Sequence, residues 1–387
     1  MLIGRELTVL GGGIGGLATA IALAMRGAHV RVLEQAAAIT EVGAGMQISP
    51  NGMAVLRGLG LDDAVRARAP RATGVRLRDF RRGAEVAHLS LARGDRPYHF
   101  VHRADFVGIL HDAARAAGVK ITLDARVTEV AQAPDGAALT LADGRTETVP
   151  LLIAADGLHS VVRKVINPKS RPFFTGQVAW RCIIPSDTPL PPEVDVFMGP
   201  GRHLVRYPLR DGTLINIVAV EERDAWAAEG WHHRDDPENL RRAFIDFCPE
   251  LRTLLSRADD VFLWGLCRHP VADHWHDDHM ALIGDAAHPT LPFLAQGANM
   301  ALEDAWVLAD CLSHEDQPAA LQRYQSHRRL RCMRIVDAAA DNAQNYHLHP
   351  GPYRLAAHTA LRAASRFAPH ILTSRFDWLY GHDVTRG

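Results

Sequence analysis

Long apolar runs are missing from this chain of 387 residues. No stretch approaches the roughly 18 consecutive apolar residues of a membrane-spanning helix, so none is expected. Cysteine is scarce: Cys182, Cys248, Cys267, Cys311 and Cys332 are scattered, odd in number and form no CxxC pair. That argues against a disulfide scaffold and points to the reducing cytoplasm. An excess of one charge is lacking too, since 43 Lys and Arg stand against 44 Asp and Glu. Nothing in that balance draws nucleic acid or an anionic membrane. There is no internal repeat and no low-complexity linker. The apolar N-terminus has no basic leader and is interrupted by glycines, so it reads as part of the mature fold. What remains is a chain 47% hydrophobic, long enough for two or three domains or one divided domain.

Residues 6–10 read as a strand, followed by Gly11-Gly12-Gly13-Ile14-Gly15-Gly16, which matches GxGxxG. A helix follows, with Leu17, Ile21, Ala24 and Met25 at helical spacing, then a second strand, His29 to Leu33. Glu34, 18 residues past Gly16, ends that strand. Strand, glycines, helix, strand and acid in register form a dinucleotide site. Gly11 makes the tight turn, Gly13 admits a pyrophosphate, Gly16 lets helix and strand approach, and Glu34 bonds a ribose hydroxyl. No second GxGxxG occurs.

A second anion site is expected at Gly284-Asp285-Ala286-Ala287-His288-Pro289, with Pro292 and Gln296-Gly297-Ala298-Asn299 beyond it. The apolar run Met280 to Ile283 leads in as a buried strand, and helical spacing resumes at Met300. Small residues there would expose backbone N–H groups at a helix N-terminus. Two such sites far apart in sequence suit a long, divided ligand such as FAD. Asp285 could bond a ribityl or ribose hydroxyl. In residues 41–51, Gly43 and Gly45 would let backbone approach a flat ligand.

From residue 171 to about 267 alternating strands dominate, with one acidic, Trp-containing helical insert. This predicts an antiparallel sheet. In His203-Leu204-Val205-Arg206-Tyr207, period two puts His203, Val205 and Tyr207 on one face. If that face lines a ligand cavity, imidazole and phenol form an acid–base pair; otherwise it is a solvated face. His274-Trp275-His276-Asp277-Asp278-His279 spells HxHxDH, the zinc pattern of the metallo-β-lactamase-like hydrolases, but it runs straight into a strand and no metal is expected. The expected fold is α/β. A first part of the FAD-binding domain spans 1–170 and a substrate sheet 171–270. The FAD-binding domain returns over 271–317, and a C-terminal helical region covers 318–387, opening with an Arg-rich helix over 318–343.

Three motifs coincide: GGGIGG with Glu34, DGLHSVVR at 156–163, and GDAAHPTLPFLAQGAN at 284–299. Together they resemble the group A (para-hydroxybenzoate hydroxylase-like) FAD-dependent aromatic hydroxylases, over nearly the whole chain. The closest branch is that of salicylate hydroxylase, 3-hydroxybenzoate 6-hydroxylase and 6-hydroxynicotinate 3-monooxygenase. The resemblance implies a Rossmann-like, GR2-type FAD-binding domain holding FAD non-covalently. Gly11, Gly13, Ile14, Gly15 and Gly16 would hold its pyrophosphate, with Glu34 and Gln35 at the adenosine ribose and Val127 beside the adenine. Gly45 and Arg103 would reach the cofactor, and Asp156 and Gly157 would serve both FAD and the nicotinamide. Asp285 would contact the ribityl chain, Pro292 the flavin, and Gly297, Ala298 and Asn299 the pyrimidine end of its ring.

The same resemblance places His203 and Tyr207 in the substrate pocket with Gln47 and Phe293. The last two stand where nicotinate enzymes carry histidines, which favours a hydroxybenzoate-like substrate. The implied activity is an NADH- or NADPH-consuming, O2-dependent monooxygenase of aromatic degradation, acting on a phenolic acid such as salicylate or 3-hydroxybenzoate through a flavin hydroperoxide. His203, as a base of near-neutral pKa, would take the phenolic proton, and Tyr207 would orient the substrate or relay that proton. The alternatives are a hydroxypyridine such as 6-hydroxynicotinate as substrate, an FAD oxidase or reductase, or a flavoprotein sensor. A monomer or homodimer is expected, with small molecules as its only partners.

Overall fold

The computed structural model describes residues 2–39, 44–91, 96–223 and 233–386. Gly43 and the insert tryptophans Trp226 and Trp231 lie outside the described residues. The N-terminal pattern produces the strand Glu6–Leu10, the helix Ile14–Ala24 and the strand His29–Leu33. Five parallel strands form one sheet, in the order Met280–Leu282, Leu152–Ala154, Glu6–Leu10, His29–Leu33, Lys120–Thr122. Leu152–Ala154 and Met280–Leu282 are buried throughout, as strands covered on both faces must be. Three of these strands feed the glycine turn, the Ala155–Gly157 loop and the Gly284–Ala286 turn. All three leave the same, C-terminal edge of the sheet, where open α/β sheets bind ligands.

The second sheet has eight strands. Phe173–Pro185, Glu193–Gly199, Arg202–Leu209, Leu214–Glu222, Arg234–Asp235 and Val261–Arg268 come from the expected substrate segment. Gly74–Asp79 and Glu85–Ser90, assigned from sequence to the first domain, also belong to this sheet. Gly74–Asp79 pairs with Glu193–Gly199 in parallel, so the sheet is antiparallel apart from this one ladder among the described strands. Alternation at Val75 and Leu77 marks a strand but not the sheet it joins.

One face of this sheet buries Trp180, Phe197 and Leu204 against the helices Pro237–Ala243 and Pro249–Leu255. The other face looks back towards the parallel sheet. The helix Gln317–Tyr346 and the helices Pro352–Phe367 and Pro369–Ser374 close the body. Arg354 anchors the tail by donating to Asp79 and to the Met198 carbonyl, whereas Tyr353 is exposed. Among the described residues no helix is long and apolar enough to cross a membrane.

Candidate active site

A cavity of about 740 Å³ lies between the two sheets, a size suited to a small-molecule or cofactor site. Its first wall is built by the glycine turn. Gly11 adopts φ +105°, and a Cβ on Gly16 would fall 1.9 Å from the Gly11 carbonyl oxygen, so both positions require glycine. Gly13 differs: nothing lies within 4 Å of a Cβ there, and it opens on the cavity with Ile14 and Gly15.

Gly297 and Ala298, opening the helix Gly297–His314, line the opposite part of the same cavity. Neither this helix nor Ile14–Ala24 carries an acid in its first turn. Two helix N-termini with no acid in their own first turns therefore face one space, each favouring negative charge. Arg103, Gly157 and Pro292 line it too. Asp285 is exposed on the cavity wall; desolvation by the surrounding protein raises its carboxyl above the ordinary value, against the pull of His288 and Arg103.

Several other expected cofactor residues do not line this space. Glu34 accepts from the Gly12 N–H at 2.6 Å and the Ala36 N–H at 2.8 Å, and so braces the glycine turn. Gln35 is exposed, and Val127 packs in the core of the first domain. Asp156 turns one carboxylate oxygen to the Val161 N–H at 2.8 Å; the other, Oδ1, is buried without a hydrogen-bond partner among the described residues. Asn299 acts as a staple. Its Oδ1 accepts from the Ser49 N–H, and its Nδ2 donates to the Gln47 and Ala295 carbonyls. It holds Ala295 in a left-handed conformation, φ 53°, just before the helix. Gly45 lines the cavity, yet its need for glycine has another origin. A Cβ there would meet Asn216 at 2.6 Å and Tyr207 at 2.8 Å.

The second wall is the strand Arg202–Leu209. His203, Val205 and Tyr207 all face the cavity, while Leu204 joins the core behind the sheet. Arg206 also turns away, into an ion cluster with Asp195 and Glu250. Phe293 lies against the His203 ring at 5.6 Å, and Tyr346 at 5.1 Å. Tyr98 donates to Gln47 Oε1 at 2.7 Å, and the same amide reaches the Tyr207 hydroxyl. Burial raises Tyr207 well above the ordinary 10 despite the neighbouring Arg181, so the phenol stays protonated and serves as a donor.

The near-neutral base expected at His203 needs correction. The side chain is 1% exposed, and burial, then His347, hold its imidazole well below 6.5. Resting His203 is neutral, with a lone pair to offer but little affinity for a lasting charge.

Sequence reasoning missed several residues here. Arg181, on Phe173–Pro185, lines the cavity beside Tyr207 and stacks over Trp264 at 5.2 Å. Its only sequence signal was an arginine among apolar strand residues. His347 and Glu222 gave none.

Behind the Gly284–Ala286 turn lies a buried ion network. Arg328 donates to Asp304 at 2.8 Å and Glu303 at 2.5 Å, and Arg331 adds two bonds to Glu303. Asp304 also accepts from the Gly284 N–H at 3.0 Å and pairs with His288 at 2.5 Å. His288, Asp304 and Cys332 come within 4.8 Å of one another, a metal-like grouping, but Arg328 already holds Asp304 and donates to the Cys332 sulfur. In the HxHxDH segment, Asp277 caps the backbone of His279 and Met280, and His279 contacts the Pro150 carbonyl; these are turn contacts.

Comparison with known proteins adds an independent line. A family model described as "FAD binding domain" matches residues 6–339. The 3-amino-4-hydroxybenzoate 2-monooxygenase of Streptomyces cremeus is 35% identical, covering 97% of this chain and 95% of its own length. The 3-hydroxybenzoate 6-hydroxylase of Klebsiella oxytoca is 34% identical over 88% of both. Among solved structures, Klebsiella pneumoniae HpxO complexed with FAD and uric acid superposes with a TM-score of 0.85 at 27% identity, covering 99% of this chain and 97% of that one.

Proposed function

The chain belongs to the FAD binding domain family and is an FAD-dependent, NAD(P)H-consuming aromatic-ring monooxygenase, and from that premise we propose that it hydroxylates a phenolic aromatic acid held against the His203–Tyr207 wall. The observation that carries this is the shared cavity. Two acid-free helix N-termini and a wall bearing an imidazole and a phenol open on one space.

The residues present fit the cofactor. Gly13 leaves room for a pyrophosphate beside a helix N-terminus, and the backbone of Gly297 and Ala298 offers N–H groups to the pyrimidine end of a flavin ring, where negative charge would gather on reduction. Asp285 supplies an acceptor for a polyol hydroxyl, and Arg103 a cation. Once reduced by NAD(P)H, FAD supplies the activated oxygen.

The protein's own part is binding, orientation and proton handling. Phenolates are far stronger nucleophiles than phenols, so ionising the substrate is the step to provide. His203 takes the phenolic proton while neutral. Tyr207, held protonated, donates to the substrate and fixes its angle. Arg181, beside Tyr207, faces the same space and suits the ring carboxylate. Leu291, Phe293 and Leu294 give the apolar lining that keeps water from the reacting centre. Phe293 and Gln47 in place of histidines support a hydroxybenzoate over a hydroxypyridine. The scattered free cysteines suit a reducing, cytoplasmic setting, and the near-zero net charge suits small molecules over nucleic acid as partners.

The test is NADH- and NADPH-driven oxygen uptake by the FAD-loaded protein across hydroxybenzoates, hydroxypyridines and simple phenols, with peroxide counted. Uptake stimulated by a hydroxybenzoate with little peroxide is the expected result. Uptake that ends wholly as peroxide with every compound would point to an oxidase.

A further inference from the structure

His203 does not stand alone behind the cavity wall. Its Nδ1 lies 2.6 Å from Nε2 of His347, and Nδ1 of His347 lies 2.6 Å from a carboxylate oxygen of Glu222. Three elements supply this chain of contacts. His203 is on Arg202–Leu209, His347 directly follows the helix Gln317–Tyr346, and Glu222 ends the strand Leu214–Glu222. Gly201 ties the last two together, since its N–H donates to the His347 carbonyl and its carbonyl accepts from the Glu222 N–H. The chain also runs from inside to outside: His203 is 1% exposed, the His347 side chain 3%, and the Glu222 side chain 46%.

Elementary hydrogen-bond logic fixes the protons. An ionised carboxylate only accepts, so His347 carries its proton on Nδ1. Its Nε2 is then a lone pair, and His203 must donate from Nδ1. The nitrogen of His203 left for the cavity is Nε2, and it is bare. Glu222 thus sets the tautomer of a histidine two links away.

We propose that Glu222 and His347 are a positioning and proton-relay pair that presents His203 Nε2 as the acceptor and carries the substrate's phenolic proton out to solvent. This rests on the reading of the His203 wall as the substrate site. Each transfer balances. The phenol O–H bond breaks as a His203 Nε2–H bond forms. The His203 Nδ1–H bond breaks as His347 Nε2–H forms, and the His347 Nδ1–H bond breaks as a Glu222 O–H forms, from which water takes the proton. The reverse transfer reprotonates the product phenolate and restores both tautomers. The relay resolves a difficulty, because a base whose charged form is so disfavoured cannot retain the proton it takes. Here it has only to pass it on.

Among the described residues, the groups facing the relay are few. Tyr346 and Phe293 flank His203, and Tyr207 is two residues along the strand. His349 lies beside His347; burial lowers the His347 imidazole and Glu222 opposes that. Glu221 is paired with Arg223, and Arg202 is turned to Asp246.

The experiment uses FAD-loaded enzyme without NAD(P)H, mixed rapidly with 4-hydroxy-3-nitrobenzoate, whose phenolate absorbs visible light. His347→Gln keeps hydrogen-bonding groups but cannot pass a proton through a ring. Glu222→Gln keeps the acceptor that sets the tautomer but cannot take the proton. In both, the probe's Kd should stay within about threefold, while phenolate formation slows at least about tenfold and its pH dependence moves to higher pH. Glu222 is half exposed, so Glu222→Gln carries the test should His347→Gln fold poorly. Wild-type rates and pH profile in Glu222→Gln would overturn the relay. A probe that binds wild-type enzyme without ionising, or does not bind, would instead overturn the reading of the His203 wall, and the relay with it.

Discussion

Replacing Arg328 by methionine isolates the buried ion network that supports the Gly284–Ala286 turn. The guanidinium is 1% exposed and bonds Asp304 at 2.8 Å, Glu303 at 2.5 Å and the Met300 carbonyl at 3.3 Å. Despite their burial, Glu303 and Asp304 both remain ionised, each held down to about 2. Methionine fills similar length but leaves two carboxylates short of a partner. Hydrogen bonds to charged groups contribute roughly 1.5–3 kcal/mol each, and breaking a buried pair costs about 3–5 kcal/mol.

The lower figure applies, because each acid keeps other partners. Glu303 retains Arg331 and Asn51, and Asp304 retains His288 and the Gly284 N–H. The expected loss is therefore about 3 kcal/mol, read as a shift of the urea midpoint at pH 7. Arg329→Met is the internal control. It lies one residue away, but pairs with an Asp273 side chain that is 81% exposed, and should cost no more than about 1 kcal/mol. A loss under about 1 kcal/mol for Arg328→Met would refute the reasoning, since Arg331 and His288 would then suffice for both acids.

Other substitutions separate binding, chemistry and stability. His203→Ala should leave flavin reduction by NAD(P)H intact and lower product formation by about 10²- to 10⁴-fold, with oxygen diverted to peroxide; unchanged hydroxylation at neutral pH would remove the base assignment. Gly13→Val points a side chain into open cavity, so the apoprotein should melt as wild type while FAD affinity falls at least about tenfold by fluorescence titration. Burial alone would lower the His288 imidazole, but Asp304 overrides it and holds it well above 6.5. Its contribution to stability is then full below pH 6.5 and lost as pH rises through the raised folded value. His288→Gln should therefore flatten the alkaline side of the stability profile measured by urea unfolding from pH 6 to 10.

Which features the sequence disclosed follows from where their causes lie. The glycine turn was legible because its constraint is local: Gly11 and Gly16 touch one another, five residues apart. The face shared by His203 and Tyr207 was legible for the same reason, being a matter of strand period. The sheet joined by 74–79 was not, because its partner Glu193–Gly199 is set by packing far along the chain. The partner of His203 was equally hidden, 144 residues away. The Arg-rich helix was visible as a helix, but nothing local says that Arg328 points inward. That depends on Glu303 and Asp304, two acids buried on another helix.

The titration of the His203–Tyr207 wall follows from one circumstance, its burial. Burial drives His203 down and Tyr207 up, so both are neutral and the wall carries no charge of its own. A bound phenolate would then be the new negative charge in a poorly solvated space, which is costly unless something opposes it. Three features do. Arg181 sits beside Tyr207, the N-terminus of Gly297–His314 opens on the same cavity, and Tyr207 donates a hydrogen bond. Leaving the proton on His203 would add a buried cation where burial already disfavours one. Export through His347 to the half-exposed Glu222 avoids that charge while leaving the phenolate's counter-charges in place. Under the proposed relay, the wall would hold the anion and dispose of the proton.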